Sequence, residues 1–282
     1  LIDKTFPTMD CSICILGPKM ADAGKHKNIT LITNAEVKEI SGYVGNFEVS
    51  IRQKARFVDE TLCTACNDCV DVCPVNVVDE WSGNLGWRKA IYIPYPQSVP
   101  ASYIIDDQSC LGLSPLTCGK CIEACDKKAI NYEDRDREYI YKIGAIIVAV
   151  GFKPFDARRI PEYGYSRFDN VMTTLEFERL INAAGPTQGE LVCPSDLQAP
   201  QRVAFVNCVG SRDVRFNPYC SNFCCMESIK DALLIKEHWP DVAVTIFYMD
   251  IRAFGKGFEE LYRRSRQEGI RYVRGRPSSI LE

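Results

Sequence analysis

The stretch Cys63-Thr-Ala-Cys66-Asn-Asp-Cys69-Val-Asp-Val-Cys73-Pro74 decides how the central part of this chain folds. Two residues separate each of the first three cysteines, a fourth cysteine follows after three residues, and a proline comes directly after it. Cysteine thiolates at this spacing are the ligand run of a [4Fe-4S] cluster. The stretch therefore predicts iron–sulfur chemistry in this part of the chain.

A second cysteine run follows within the length of a ferredoxin domain. It reads Cys110, seven residues, then Cys118-Gly-Lys-Cys121-Ile-Glu-Ala-Cys125, so the usual two-residue gap is widened to seven at its start. Asp126 stands where proline is usual. Two ligand runs in one segment predict a ferredoxin domain with two [4Fe-4S] clusters.

The spacing also predicts which cysteines share a cluster. A tight loop supplies three thiolates to one side of a cube, and in two-cluster ferredoxins the last cysteine of each run ligates the other cluster. We therefore expect one cluster on Cys63, Cys66, Cys69 and Cys125, and the other on Cys110, Cys118, Cys121 and Cys73. Structural zinc is the alternative, but zinc sites favour two CxxC pairs separated by a longer gap.

The composition is that of a globular chain long enough for two domains, with 282 residues, 46% of them hydrophobic and 25% charged. A formal net charge of -3 argues against a nucleic-acid partner, because such proteins usually carry a basic patch. Fifteen cysteines in a chain with ferredoxin spacing indicate metal thiolates in a reducing compartment. We therefore expect a cytoplasmic, anaerobic protein.

Two further features bear on location and chemistry. The longest apolar runs, at residues 145–150 and 242–249, are too short for a membrane span. No secretory signal opens the sequence, and a start at Leu1 suggests a processed or partial chain. With two histidines in the whole chain, we expect redox chemistry rather than hydrolysis.

The first part of the chain combines a cysteine pair with a predicted hairpin. Cys11 and Cys14 have metal-ligand or redox spacing, although buried structural thiols are an equally open interpretation. Residues 29–33 read as a short apolar strand, and residues 47–51 alternate after a turn at residues 42–46.

Beyond the cysteine runs, residues 139–150 read as a buried strand that delivers Gly151 to a place where a backbone or cofactor comes close. Residues 87–95 read as a strand within the ferredoxin segment. A capping box at residues 173–176 predicts a helix that ends before Gly185-Pro186.

The last 80 residues alternate strand, helix, strand, helix and strand, which predicts a parallel sheet. In a dinucleotide-binding fold the first strand-to-helix turn carries GxGxxG, and that pattern is missing after residues 203–207. Four cysteines gather there instead, and they predict a third iron–sulfur site, with Cys11 or Cys14 as further candidates. The four cysteines that we expect to ligate this third cluster are Cys208, Cys220, Cys224 and Cys225. Buried thiols are the alternative, and the lone Cys193 reads as structural.

Several motifs together resemble the family of heterodisulfide reductase A subunits and its bacterial relatives. They are KTFPTMDCSICILGPKM at 4–20, the ferredoxin insert, GAIIVAVGFKPFD at 144–156, VNCVGSRD at 206–213, YCSNFCCM at 219–226 and IRAFGKGFEELY at 251–262. The resemblance runs along essentially the whole chain. The family's GxGxxG is missing, so the chain resembles the middle part of such a protein, and the widened gap before Cys118 leans towards a bacterial relative.

The resemblance implies an α/β fold: a thioredoxin-reductase-like flavoprotein with an inserted two-cluster ferredoxin domain and a Rossmann-like parallel-sheet C-terminal part. The implied domains are a flavin domain at 1–57 and 139–200, the ferredoxin domain at 58–138 and the cysteine-rich Rossmann-like domain at 201–282. FAD is implied beside Val37 and Gly151.

The function implied is electron transfer, with flavin-based electron bifurcation, in a multi-subunit complex. The implied partners are other heterodisulfide-reductase-like subunits, a hydrogenase or dehydrogenase as electron donor, and ferredoxin. One rival is an NAD(P)H-linked flavoprotein with a ferredoxin domain, resembling the glutamate synthase small subunit. The other is an electron-transfer scaffold without an active flavin.

Overall fold

The computed structural model describes residues 3–113 and 117–281. The helices are α1 Ser12–Lys25, α2 Asp68–Asp71, α3 Lys120–Ala124, α4 Thr174–Leu180, α5 Cys224–His238 and α6 Phe258–Gln267. The strands are β1 Ala35–Tyr43, β2 Asn46–Gln53, β3 Asn76–Val78, β4 Trp87–Lys89, β5 Ile91–Tyr92, β6 Ile104–Ile105, β7 Arg137–Ile143, β8 Arg202–Val206, β9 Ala243–Tyr248 and β10 Arg271–Arg274. The chain divides into two compact units, Leu1–Ile15 with Lys153–Glu282, and Leu16–Phe152.

The sheet of the Leu16–Phe152 unit explains how the cysteine runs are inserted. β1 and β2 form the predicted antiparallel hairpin, and β2 pairs with β7 from Phe47 opposite Ile143 to Gln53 opposite Arg137. The chain therefore leaves the sheet at the end of one strand and returns at the start of its neighbour. Residues 54–136, here called the inserted segment, are closed at the base by Asp136, whose carboxylate accepts a hydrogen bond from the Ala55 N–H at 2.9 Å.

The inserted segment has a small core of its own. Its two-stranded sheets are β3–β4 and β5–β6; β5 contacts both β4 and the short helix α2, and α2 contacts α3. The apolar side chains and thiols buried there include Phe57, Val58, Cys69, Ala90, Ile91, Tyr103, Ile105, Cys110, Cys121 and Ala129. Three of the ferredoxin-type cysteines are part of this core and three more contact it at its edge, so the thiols and the core form together.

The other unit is built on the predicted parallel sheet, with strand order β10-β9-β8. All five predicted elements of the last 80 residues are present. α5 is buried on every side from Cys225 to Ile235, which places it in the centre of this unit. A helix enclosed in this way is fixed firmly, and its first residues are held in position with it.

Local signals also fix α4. The Thr173 hydroxyl accepts from the Glu176 N–H at 3.2 Å, and the Glu176 carboxylate accepts from the Thr173 N–H at 2.6 Å. This is the complete capping box that the sequence predicts. The helix ends at Leu180, a few residues before Gly185.

Three strand predictions were wrong in position. Residues 29–33 lie outside any strand, because the chain turns into the sheet only at Asn34, whose φ is 53° and whose side-chain amide donates to the Lys54 carbonyl at 3.1 Å. β7 ends at Ile143, and residues 145–150 lie outside any strand. Ile147 is 92% exposed and Val150 88%, so this run is not the buried strand expected. The strand predicted at 87–95 is broken into β4 and β5.

Candidate iron–sulfur sites

A cavity in the inserted segment collects thiols from both cysteine runs. Cys63, Cys66 and Cys69 line it from the first run, and Cys125 lines it from the second. The loop between the first three thiols includes residues with positive φ, Ala65 at 55° and Asn67 at 80°, so the backbone curls around the cavity. We call this the first thiol cavity.

A second cavity repeats the arrangement with the roles exchanged. Its thiols are Cys110, Cys118 and Cys121 from the second run and Cys73 from the first. The structure therefore brings together the two sets of four thiols that the crossed pairing predicts. We call this the second thiol cavity.

The two cavities are neighbours. The side chain of Ile91 lines both of them. Cys69 on α2 and Cys121 on α3 also lie close enough for the charge of one to disfavour the ionised form of the other. Clusters bound in these cavities would lie beside each other.

Burial favours the protonated form of two of these thiols, Cys69 and Cys121, in the absence of metal. Burial raises the pKa of Cys69 to about 12, and the neighbouring thiols Cys63 and Cys121 add to the rise. Burial likewise raises the pKa of Cys121, although a hydrogen bond with Tyr132 opposes it. Metal binding reverses this balance, because a coordinating thiol is deprotonated outright. The folded inserted segment therefore places its thiols where metal ions stabilise the thiolate form.

The spacing of the thiols separates a cluster from zinc. Tetrahedral zinc with Zn–S bonds of about 2.3 Å holds its sulfurs about 3.8 Å apart. Across residues 3–113 and 117–281, no three thiol sulfurs all lie within 4.8 Å of one another. The thiols of each cavity are spread more widely than a zinc site, which suits a group containing several iron atoms.

A third set of thiols lies between β8 and α5 in the other unit. Cys208 follows β8 with φ at 62°, and Cys224 and Cys225 are the first two residues of α5. Interactions with the neighbouring side chains of Cys208 and Cys225 hold the pKa of Cys224 far below its usual value. The pKa of Cys208 and that of Cys225 are raised for the same reason.

Cys220 lies near this group, and its sulfur accepts a hydrogen bond from the Asn222 N–H at 3.3 Å. The four cysteines are called the C-terminal thiol group. Because α5 begins at Cys224, that thiol and Cys225 lie at the positive end of the helix, which favours thiolates and anionic clusters. The turn after β8 lacks the GxGxxG pattern but contains Gly210. No side chain fits at this position, because a Cβ there would lie 2.4 Å from the ring of Phe155.

Cys11, Cys14 and Cys193 are the cysteines not counted in the two thiol cavities or in the C-terminal thiol group. Cys11 and Cys14 contact each other at the start of α1, where the Cys14 N–H donates to the Cys11 sulfur at 3.3 Å. Within the described ranges, the contacts found for these two thiols do not include the C-terminal thiol group. Cys193 is partly buried in a turn, where its N–H donates to the Gln198 carbonyl at 2.8 Å.

The two residues expected beside FAD both lie in the Leu16–Phe152 unit. Val37 is in β1 opposite Ile51 and is 58% exposed. Gly151 has φ at 73°, and a Cβ built there meets nothing within 4 Å. Each is therefore accessible, and contact with a flavin stays a prediction.

Sequence reasoning missed a buried charge cluster on α5. The Lys230 ammonium forms ion pairs with Glu178, with Glu227 at 3.2 Å and with Asp231 at 3.1 Å, and all four side chains are at most 2% exposed. The signal was present, since Glu227, Lys230 and Asp231 lie among the apolar residues in the first half of α5. Their partner Glu178, on α4, could not be identified from the sequence.

Comparison with known proteins supports the iron–sulfur interpretation. Residues 56–79 match the family described as 4Fe-4S binding domain. A protein of Methanothermobacter thermautotrophicus, named as the A subunit of H(2):CoB-CoM heterodisulfide,ferredoxin reductase, is 53% identical over 100% of this chain and 42% of its own length. The chain is homologous to a segment of the heterodisulfide reductase A subunits. The resemblance inferred from the motifs is therefore confirmed.

Other relatives agree. A Methanopyrus kandleri protein, named as the second iron-sulfur A subunit of CoB--CoM heterodisulfide reductase, is 54% identical over 100% of this chain and 42% of its own length. The A subunit of the Ferredoxin/F(420)H(2)-dependent CoB-CoM heterodisulfide reductase of Methanosarcina acetivorans is 45% identical over 99% of the chain and 35% of its own length. The chain thus spans less than half the length of these curated relatives. No helix in the described ranges is long and apolar enough to cross a membrane.

Proposed function

We propose that this chain is part of an FAD- and iron–sulfur-containing oxidoreductase subunit that transfers electrons within a multi-subunit complex, by flavin-based electron bifurcation. The observation that carries the proposal is the crossed arrangement of eight thiols in two neighbouring cavities. A structural metal site does not require two cysteine runs to exchange a ligand. Two clusters beside each other, in contrast, suit the transfer of single electrons.

The three thiol groups have the same role in this proposal. The first thiol cavity holds one [4Fe-4S] cluster and the second thiol cavity holds another, with the ligands predicted from the sequence. The C-terminal thiol group holds a third, which takes the place of a nicotinamide pyrophosphate at the end of β8. Amide hydrogen bonds such as those to Cys125 from Ala129, at 3.4 Å, and to Cys220 stabilise thiolate sulfur.

FAD is the second cofactor of the proposal, and it supplies the exchange between electron pairs and single electrons. The exposed apolar run at residues 145–150 supports a flavin domain here. Ile147 and Val150 leave an uncovered apolar surface directly before Gly151, and exposed apolar patches of this kind are typical of ligand-binding sites. Gly151, whose φ is 73°, is the proposed contact on this side. Val37 is the other proposed contact.

The names of the relatives support the proposed partners. Their names include hydrogen, ferredoxin and F(420)H(2) as reactants and identify each protein as the A subunit of its enzyme. We propose that this chain works in the cytoplasm with other heterodisulfide-reductase-like subunits, with a hydrogenase or dehydrogenase as electron donor, and with ferredoxin.

Two rivals make different predictions. An NAD(P)H-linked flavoprotein resembling the glutamate synthase small subunit needs a nicotinamide site after β8, where the C-terminal thiol group lies. A scaffold that holds clusters without an active flavin needs no FAD. Flavin content and reduction by NADH therefore distinguish the three functions.

The deciding experiment is the iron, sulfide and flavin content of the full-length subunit, purified anaerobically in its complex. We expect each thiol group to account for about four irons, so that cysteine-to-serine changes in one group lower the iron content by about that number. We also expect FAD. Absence of flavin would support the scaffold, and reduction of the subunit by NADH at the turnover rate would support the nicotinamide enzyme.

A further inference from the structure

An arginine lies beside the C-terminal thiol group. Arg212 follows a turn in which the Ser211 N–H donates to the Cys208 carbonyl at 3.3 Å, and its Nη1 forms an ion pair with the carboxylate of Asp250. Cys208 is only 3% exposed, and the Arg212 side chain is 25% exposed. A cation is therefore held against the thiols with limited screening by water.

The segment after β9 holds this arginine and contacts the thiol group as well. The Cys225 sulfur donates to the backbone carbonyl of Asp250 at 3.7 Å. The Asp250 carboxylate also lies 3.6 Å from Arg252 Nε. Asp250 thus places a negative charge between two arginines at the edge of the thiol group.

The backbone around Arg212 is fixed by other contacts. Its N–H donates to the Tyr219 carbonyl at 3.0 Å, and the Asn217 side-chain amide donates to the Gly210 carbonyl at 2.9 Å. These bonds do not use the guanidinium. The side chain can therefore be replaced while the bonds that shape the loop are kept.

We propose that Arg212 tunes the third iron–sulfur cluster: its guanidinium, held by Asp250 at the edge of the C-terminal thiol group, places a positive charge there that raises the reduction potential of the cluster. Asp250 positions the guanidinium and offsets part of its charge. The inference rests on the proposed cluster at the C-terminal thiol group. Reduction adds an electron to the cluster, so a nearby cation stabilises the reduced form more than the oxidised form, and an anion does the opposite.

The test is a redox titration, followed by electron paramagnetic resonance, of the full-length subunit in its complex. The third cluster is identified as the signal that Cys220→Ser removes. Arg212→Gln removes the charge, Arg212→Lys keeps it, and Asp250→Asn removes the opposing charge while keeping an oxygen that accepts from Arg212. The control is Arg215→Gln, because Arg215 lies in the same loop, is 65% exposed and pairs with Asp213.

At a fixed potential, we expect Arg212→Gln to lower the ratio of reduced to oxidised third cluster by about tenfold, which is about 59 mV for a one-electron couple. Asp250→Asn raises the ratio, Arg212→Lys keeps most of the wild-type value, and Arg215→Gln leaves it unchanged. Opposite shifts from the two charge removals are not expected of residues that act only in packing.

The outcomes separate the two proposals. A wild-type protein without the signal that depends on Cys220 would reject the third cluster itself. A wild-type signal that neither Arg212→Gln nor Asp250→Asn shifts would reject the role of Arg212 and leave the cluster in place. If Arg212→Gln loses iron, the reduction potential of the third cluster is compared in Arg212→Lys and Asp250→Asn instead. An unshifted potential in Asp250→Asn then overturns the inference.

Discussion

The phenolic oxygen of Tyr132 lies 3.2 Å from the sulfur of Cys121, in the second thiol cavity. Burial and this contact raise the pKa of Tyr132, so its hydroxyl keeps its proton. A protonated phenol can donate to a thiolate, and hydrogen bonds to ligand sulfur are among the factors that set cluster potentials. Tyr132 is thus placed to stabilise negative charge on the cluster proposed there.

Tyr132→Phe should therefore lower the reduction potential of the cluster in the second thiol cavity. The loss of one hydrogen bond of about 0.5–1.5 kcal/mol corresponds to a shift of roughly 20–60 mV. The measurement is a redox titration of the full-length subunit. Tyr139→Phe is the control, since its hydroxyl contacts Gln53 in the sheet, at 3.2 Å, and should leave the potential unchanged. Equal potentials in wild type and Tyr132→Phe would contradict the assignment.

The crossed pairing makes a second prediction. Cys125→Ser should alter the cluster of the first thiol cavity, whose other thiols come from the first run, and Cys73→Ser should alter that of the second. Spectra of the two variants identify which cluster changes, by comparison with Cys66→Ser and Cys118→Ser. If Cys125→Ser instead resembles Cys118→Ser, each run ligates its own cluster and the crossing is wrong.

A third prediction concerns the C-terminal thiol group. Cys220→Ser and Cys224→Ser should each lower the iron content of the full-length subunit, by up to about four, because the loss of a thiolate ligand weakens the binding of the cluster. Cys193→Ser is the matched control, since that thiol lies in a separate turn. Unchanged iron content with intact folding in the first two variants would mean that these thiols are only buried.

The features that the sequence predicted correctly depend on short spacing. Cysteines two or three residues apart lie in one tight loop, so the spacing already places the first three thiols of each run around one cavity, and their role as cluster ligands stays a prediction. The strands and helices after residue 201 followed from hydrophobic pattern alone. The capping box of Thr173 and Glu176 is likewise a local signal.

The incorrect or missed features depend on partners that are distant in the chain. Residues 145–150 have the composition of a buried strand, but composition does not identify the neighbouring strand, and the described chain supplies none. Asn34 fixes the start of β1 through a hydrogen bond to Lys54, across the hairpin. Lys230 is buried because Glu178 on another helix accepts its charge, and no spacing rule connects the two.

The Lys230 cluster makes the last prediction, which concerns the stability of the unit that contains α5. Lys230→Met removes the cation from among Glu178, Glu227 and Asp231, so buried carboxylates are left without a counter-charge. Breaking such a pair typically costs about 3–5 kcal/mol of unfolding free energy. Anaerobic chemical denaturation of the full-length subunit measures the loss. Lys256→Met, at an exposed position, should change the stability by less than about 0.5 kcal/mol.

The loss should also depend on pH. Burial raises the pKa of Asp231 to about 6, and the charge of Lys230 opposes that rise, so Lys230→Met should raise the pKa further. A carboxyl whose pKa is higher in the folded state contributes stability below its unfolded pKa, and that contribution is lost as the pH rises through the folded pKa. The deficit of Lys230→Met should therefore be larger at pH 8 than at pH 5. Adding Asp231→Asn should recover part of the stability at pH 8, because it removes one unpaired charge. A deficit that is independent of pH, with no recovery in the double variant, would mean that Lys230 acts through packing alone.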